Sequence, residues 1–450
     1  MEMSLKKERI FSNGDLLTLF IPLIIEQGLE YLVGLADSLM IAQVGESAVS
    51  GVSLVDFIIA LVISVFAAIA SGGSVIAGQY LGKKDQENAV GAVNQLVKIA
   101  FIIGMILTFV IYVLKPFILT RLFGAITPEV ARDANKYFMI VMVSVPFLAL
   151  YNAGAAVFRT SGNSKLPMKI MLYMNSLNVL GNAILIWGFH MGVEGVAIPT
   201  LLSRIGAAVI VLTLAGRKNN PLRLRHFLKV KLEWAMTKRI LRIGAPFGFE
   251  NGMFFLGRLL VLSVVSLFGT AAIAANSVGS TIVIFEALPG MAMNLGLSVI
   301  IARCVGAGEY DQAKYYQRKV RLWMHGGFFI TSTMIIAIMP LLMGAYALSD
   351  EATSMIWVIV VSHALMMFLI WPSGYMLPIV FRSAGDARFP MIVGVASMML
   401  CRLVLAYVFA VILNMGMLGT WLAMFMDWIV KTIIYEWHYR KDKWTHYHVI

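Results

Sequence analysis

The chain has 450 residues, 60% hydrophobic and only 13% charged, with a mean hydropathy of +0.83 and a formal net charge of +12. A water-soluble protein of this length has too little interior to hide so much apolar surface, so soluble globular classes are excluded. The positive charge lies between apolar runs instead of forming one patch, which argues against a nucleic-acid-binding role.

The first segment, Met1 to Arg9, is short and charged, so the apolar run that follows is not read as a cleavable signal. Uncharged runs then recur: Phe57 to Gly82 has 26 residues, Tyr137 to Phe158 has 22 and Ala352 to Phe381 has 30. A helix of about 20 apolar residues crosses the hydrocarbon core, and alternating barrel strands would not give such runs. The pattern predicts twelve transmembrane helices over 16–42, 47–80, 90–114, 134–158, 167–189, 193–215, 240–266, 271–303, 321–346, 353–381, 389–412 and 416–437.

With the N-terminus inside, the inner segments hold 28 of the 36 Lys and Arg, counting Lys431 at the end of the last helix. The outer loops hold Lys115, Arg121, Arg132 and Lys136, while Lys98, Arg204, Arg258 and Arg402 fall within spans. This asymmetry sets both termini in the cytoplasm. The longest inner connection, Arg217 to Arg239, is basic and divides the spans six and six.

An internal repeat runs at an offset of 224. Pro22, Glu26, Gly28, Gly45 and Ala48 meet Pro246, Glu250, Gly252, Gly269 and Ala272, and farther on Gly82 meets Gly306. Phe158-Arg159-Thr160-Ser161-Gly162-Asn163 meets Phe381-Arg382-Ser383-Ala384-Gly385-Asp386 at 223. Each unit has an even number of spans, so the two share one orientation, the parallel-repeat plan of secondary transporters. The reading is an all-α membrane protein: a segment over 1–15, an N-lobe over 16–215, a basic connection over 216–239, a C-lobe over 240–437 and a tail over 438–450.

Ionisable residues inside spans are expensive and mark candidate sites. Glu26 and Glu250 each follow a proline by four residues, suiting either a central substrate cavity or salt bridges that fix helix packing, with Arg258 one candidate partner. Glu30 lies one turn beyond Glu26 on the same face, with Phe254 at the repeat-related position. Asp56 and Glu286 are further cavity candidates, and Asp427 is a weaker one. Asp37 sits near the outer end of the first span, and Asn175, Asn178 and Asn182 line one face of the fifth. Amide oxygens plus a carboxylate suit a hard cation, a proton-linked network or plain interhelical hydrogen bonds. His363 reads as a packed polar residue, and the 29 methionines would suit a cavity that repacks around varied ligands.

Enzyme signals are missing from the sequence. There is no GxxxxGK[ST] phosphate cradle, no HExxH and no nucleophile elbow. Cys304 and Cys401 have no paired spacing and read as free thiols.

The chain resembles the multidrug and toxic compound extrusion (MATE) family over about residues 15 to 437. The resemblance rests on Pro22, Asp37-Ser-Leu-Met-Ile-Ala-Gln-Val-Gly45, Ala48-Val-Ser-Gly-Val-Ser53 and Gln79-Tyr-Leu-Gly82. It rests also on Phe158-Arg-Thr-Ser-Gly-Asn163, Asn178-x3-Asn182, Gly188 and Gly306-Ala-Gly308. It implies a two-lobed antiporter that exports organic, often cationic, compounds in exchange for Na+ or H+, with Asp37, Asn178 and Asn182 in the N-lobe coupling network. Members of the NorM type carry a second-lobe Glu where this chain has Phe254, and their acidic residue in helix 10 has no match from His363 to Tyr375. The chain is more similar to a branch marked by Pro246-Phe-Gly-Phe-Glu-Asn251.

The expectation is a multidrug exporter in the cell membrane, working by alternating access on small organic substrates, embedded in the lipid bilayer as a monomer. It needs no cofactor beyond the coupling ion, H+ or Na+, and binds no nucleic acid. A flippase for lipid-linked sugars is the alternative within the superfamily, but the candidate cavity residues are mainly acidic, where a lipid headgroup favours basic ones. An intramembrane transferase or a scaffold is the alternative outside it.

Overall fold

The computed structural model describes residues 9–122, 126–225, 229–346, 348–447 and 449–450. Most of the charged first segment and part of the 217–239 connection therefore lie outside the described residues. Among those described, the chain is helical with no strand: α1 Asn13–Ala42, α2 Glu46–Gly82, α3 Gln86–Phe117, α4 Pro128–Val141 and α5 Val145–Thr160. There follow α6 Lys165–Ala183, α7 Glu194–Ala215, α8 Trp234–Val265, α9 Gly269–Gly306 and α10 Tyr310–Tyr346. The last are α11 Asp350–Leu369, α12 Trp371–Ala384, α13 Arg388–Ser397, α14 Leu405–Tyr407 and α15 Met417–Arg440. Polar caps start several of them: Asp85 accepts from Asn88 N, Thr127 from Val130 N and Ser349 from Ala352 N.

Among the described residues, eleven helical stretches are long and apolar enough to cross a bilayer, and one of them, Trp234–Gly306, is 73 residues long. As a straight helix it would reach about 110 Å, several times the hydrocarbon thickness. It breaks at Ser266–Phe268, and Gly269 there takes φ +86, which a side chain would resist. The break yields two spans, and the twelve-helix, all-α expectation holds.

The tenth span, expected to be continuous over 353–381, is instead α11 and α12 joined at Ile370. Pro372 has no N–H, so it frees the carbonyl four residues back, at Phe368. The His325 ring of α10 lies edge-to-face with the Phe368 ring at that break, with centroids 5.3 Å apart. Lys431, counted at an inner helix end, sits well inside α15 and is buried.

The repeat is written into the backbone. A π-helical turn at Ile184–Gly188 recurs at Val408–Ile412, at the same offset of 224. After each, one residue takes a left-handed conformation, His190 and Asn414, both at φ 54. Phe189 N bonds Ile184 O at 3.2 Å, and Leu413 N bonds Val408 O at 2.8 Å. The Gly162 and Gly385 turns match too: Asn163 N reaches Phe158 O and Asp386 N reaches Phe381 O, both at 2.9 Å.

The contacts gather into two units, one of Met1–Ile24, Gly78–Lys84 and Phe249–Ile450, the other of Ile25–Ala77 and Asp85–Gly248. In the first, Leu16, Phe20 and Leu23 of α1 join a core with Leu297, Tyr316, Met324, Phe328 and Phe381. Gly296 of α9 leaves room for the Phe20 ring, which a Cβ added there would strike. Within the same unit the end of α2 crosses α9 reciprocally. A Cβ on Gly82 would strike the Arg303 carbonyl, and one on Gly306 would strike that of Gln79. Gln79 and Arg303 are themselves 224 apart, so repeat-related residues exchange contacts as in an isologous interface.

In the second unit α3, α5 and α7 pack through small residues. Gly104 faces Ala149 and the buried Phe66, and Gly154 faces Val211. Gly72 of α2 meets Gly244 of α8 in the same unit, where a Cβ on Gly72 would strike the Ile240 carbonyl and lie 3.0 Å from Gly244 N. This repeats in the second unit the contact of Gly296 with Phe20 in the first.

Candidate functional site

The N-terminal cluster is built by α1, α2, α4, α6 and α7. Asparagines three and four apart on α6 share a face, and the structure uses them differently. Asn182 Nδ2 donates to Asp37 Oδ1 at 2.6 Å and to Asn178 Oδ1 at 3.3 Å. Asn178 donates to Thr200 Oγ1 at 3.0 Å. Asn175 is turned to the Leu29 carbonyl, 2.8 Å away, and ties α6 to α1 without reaching Asp37. The π-helical turn begins just past Asn182, and such turns re-aim a helix face.

Asp37 is half-buried and borders a cavity of about 40 Å³ lined also by Ser38, Ser53, Asp56 and Tyr137. That volume admits water, which needs about 10–15 Å³. Tyr137 donates from its hydroxyl to Asp56 Oδ1 at 3.1 Å. Arg204 donates to Ser144 Oγ at 2.8 Å and interacts electrostatically with Asp37, Asp56 and Tyr137. The Asn182 side-chain oxygen is fully buried and accepts no hydrogen bond. An orphaned acceptor beside a carboxylate marks a place where a positive charge or a proton is stabilised.

Sequence reasoning found Asp37, Asp56 and the asparagines but left out Arg204, Tyr137 and Thr200. The intramembrane arginine was the usable signal, because an in-span cation must find counter-charges. Tyr137 and Thr200 carry no such signal.

The repeat-related glutamates are engaged by repeat-related arginines. Arg159 Nη2 donates to Glu26 Oε1 at 3.0 Å, and Arg382 Nη2 donates to Glu250 Oε2 at 2.7 Å. The arginine that pairs with Glu250 is thus Arg382. Glu26 is 2% exposed, while Glu30 is exposed and accepts from Gln27 at 3.1 Å. Two further acids lie in the unit that holds α9 to α15. Glu286 is fully buried with its carboxylate 2.5 Å from His363 Nδ1. Asp427 pairs with Lys431 one turn on, at 2.9 Å, and accepts from Ser397. His363 is therefore half of an ionisable couple, not a lone packed polar group. Among the described residues no group of three or more His, Cys, Asp or Glu side chains could hold a metal ion.

Twelve apolar spans, a parallel repeat and acidic clusters inside the spans define a multi-pass membrane transporter. The MatE family model matches residues 22–184 and again 246–408, stretches that start at the repeat-related Pro22 and Pro246. The chain belongs to the MatE family, a family of transporters and not of enzymes. It is 27% identical over 96% of its length to the uncharacterized transporter YisQ of Bacillus subtilis, 94% of which is covered. It is 25% identical over 96% of its length to the probable multidrug resistance protein NorM of Thermotoga maritima, 92% of which is covered. The fold is similar to the outward-facing form of a multidrug resistance MATE transporter, with TM-score 0.84, 19% identity and 95% of each chain covered. It is similar also to a MOP superfamily transporter from Pyrococcus furiosus, with TM-score 0.86, 18% identity and 96% of each chain covered.

Proposed function

We propose that the protein is a secondary multidrug exporter of the cell membrane that exchanges small organic, often cationic, compounds for H+ or Na+ by alternating access. The observation that carries this reading is the Asp37 cluster: a half-buried carboxylate, an orphaned Asn182 oxygen and a cavity with room for water on one helix-lined wall. Two carboxylates without a third acidic, His or Cys ligand suit a proton or a monovalent ion better than a divalent one. Loading that site neutralises Asp37, removes its claim on Asn182 and lets α1 shift against α6.

Of the acidic candidates, Glu30 and Asp56 are exposed and are the ones we assign to attracting a cationic substrate. Glu26 and Glu250 are held by arginines and act first on helix position. The lobes over 16–215 and 240–437, the cytoplasmic termini and function as a monomer complete the proposal. Efflux from proteoliposomes under separately imposed pH and Na+ gradients is the test. Export driven by neither gradient would remove the antiport reading.

A further inference from the structure

Glu286 of α9 and His363 of α11 are a buried acid and base that meet each other. Their side chains meet at 2.5 Å, with Glu286 0% and His363 5% exposed. Glu286 Oε1 has no hydrogen-bond partner. Among the described residues, the neighbouring helices bring no compensating charge to that carboxylate. From α10, Thr331 donates to the Glu286 main-chain carbonyl and leaves the carboxylate alone, while His325 is turned to Phe368. From α15, Trp421 and Trp428 lie edge-to-face with the His363 ring, with centroids 6.2 and 5.4 Å away. The Asp427–Lys431 pair on that helix is spent on itself, as is Asp386 with His438, and Tyr375 of α12 stacks on Trp371. Among the described residues, His363 is the one group that acts electrostatically on Glu286.

We propose that Glu286 and His363 share one proton and form a second proton-carrying couple, separate from the Asp37 cluster. The charge arithmetic supports it. With one proton the couple is neutral overall, whether written as carboxylate and imidazolium or as carboxylic acid and imidazole. Removing that proton leaves a net negative charge in a wall of aromatic and aliphatic side chains, and adding another leaves a net positive one. Burial therefore holds the one-proton state in this conformation, and contact with water on either side permits loss or gain. A fully buried carboxylate admits no hydrated ion or organic molecule, whereas a proton requires no cavity. The transport consequence rests on the exporter reading above; the proton binding itself does not.

The test uses the full-length protein. Infrared titration of the detergent-purified chain reads protonated carboxyl groups, and a pH electrode in proteoliposomes reads protons moved per substrate. Glu286→Gln should remove one titrating carboxyl that Asp37→Asn retains, and should lower the proton-to-substrate ratio by about one. His363→Gln keeps a hydrogen-bonding side chain but cannot become a cation, so it should displace the Glu286 transition along the pH axis. If Glu286→Gln unfolds, nitrogen-15 spectra of the wild type, assigned by subtraction of the His363→Gln spectrum, report the imidazole directly. Superimposable carboxyl titrations in wild type and folded Glu286→Gln, or a His363 imidazole that never titrates, would overturn the proposal. Absence of substrate-driven proton flux in the wild type, with the Glu286 carboxyl still titrating, would instead defeat the exporter reading and leave the couple standing.

Discussion

Arg159 donates to Glu26 across 133 residues of chain at 3.0 Å, and the same contact is made a second time by Arg382 and Glu250. Each arginine follows the phenylalanine of its own Phe-Arg motif, just before the Gly162 or Gly385 turn. The duplicated sequence thus duplicates an ion pair, and each pair ties a proline-bearing helix, α1 or α8, to the helix end of its own unit.

Removing one partner from such a pair strands the other. Glu26→Gln should cost about 3 kcal/mol of stability, since Arg159 keeps its charge in a poorly hydrated place. Adding Arg159→Gln to the same chain should recover much of that loss. Thermal unfolding of the two single variants and the double variant forms the cycle, and a double variant less stable than either single would contradict the pairing. If Glu26 also draws cationic substrate, export of cations should fall more than export of neutral compounds.

Asp37→Asn keeps size and most hydrogen bonding but deletes the titratable charge. We expect loss of gradient-coupled efflux with normal expression and melting behaviour. Tyr137→Phe, which removes only the 3.1 Å bond to Asp56, should cost about 1 kcal/mol and move the pH profile of transport without abolishing it. Full coupled transport by a well-expressed Asp37→Asn protein would return Asp37 to a structural role.

The crossing of α2 and α9 leaves no space for a methyl group. Gly306→Ala should destabilise by roughly 1–3 kcal/mol because its Cβ meets the Gln79 main chain, which cannot yield as a side chain can. Gly326→Ala, which meets nothing within 4 Å, is the control and should leave the melting temperature unchanged. Equal melting points for the two variants would mean the crossing is looser than drawn.

Orientation is open to labelling. In a background with Cys401→Ser, Gly192→Cys and Ser349→Cys should react with an impermeant reagent outside intact cells, and Asn219→Cys should not. The remaining Cys304 is buried and stays silent. External labelling at Asn219 would reverse the topology drawn from the charge count.

The amino-acid sequence by itself determined the class, the twelve spans and the repeat. Those properties are local or periodic: unbroken apolar length sets a span, and prolines and glycines in step at one offset record duplication. Glu26, Asp37 and Glu286 were visible because a carboxylate in an apolar run stands out on composition alone. Which arginine meets Glu250 was not visible, since Arg258 is near in sequence and Arg382 is 132 residues away. The same is true of His363, which reads as a lone polar residue until α11 is laid against α9. Asn175 shares a helix face with Asn178 and Asn182, yet only packing decided that it bonds the Leu29 carbonyl and leaves Asp37 to Asn182. Helix periodicity fixes which side chains point the same way; the partner they meet is set by how separate helices cross, and that is a long-range property no local pattern encodes.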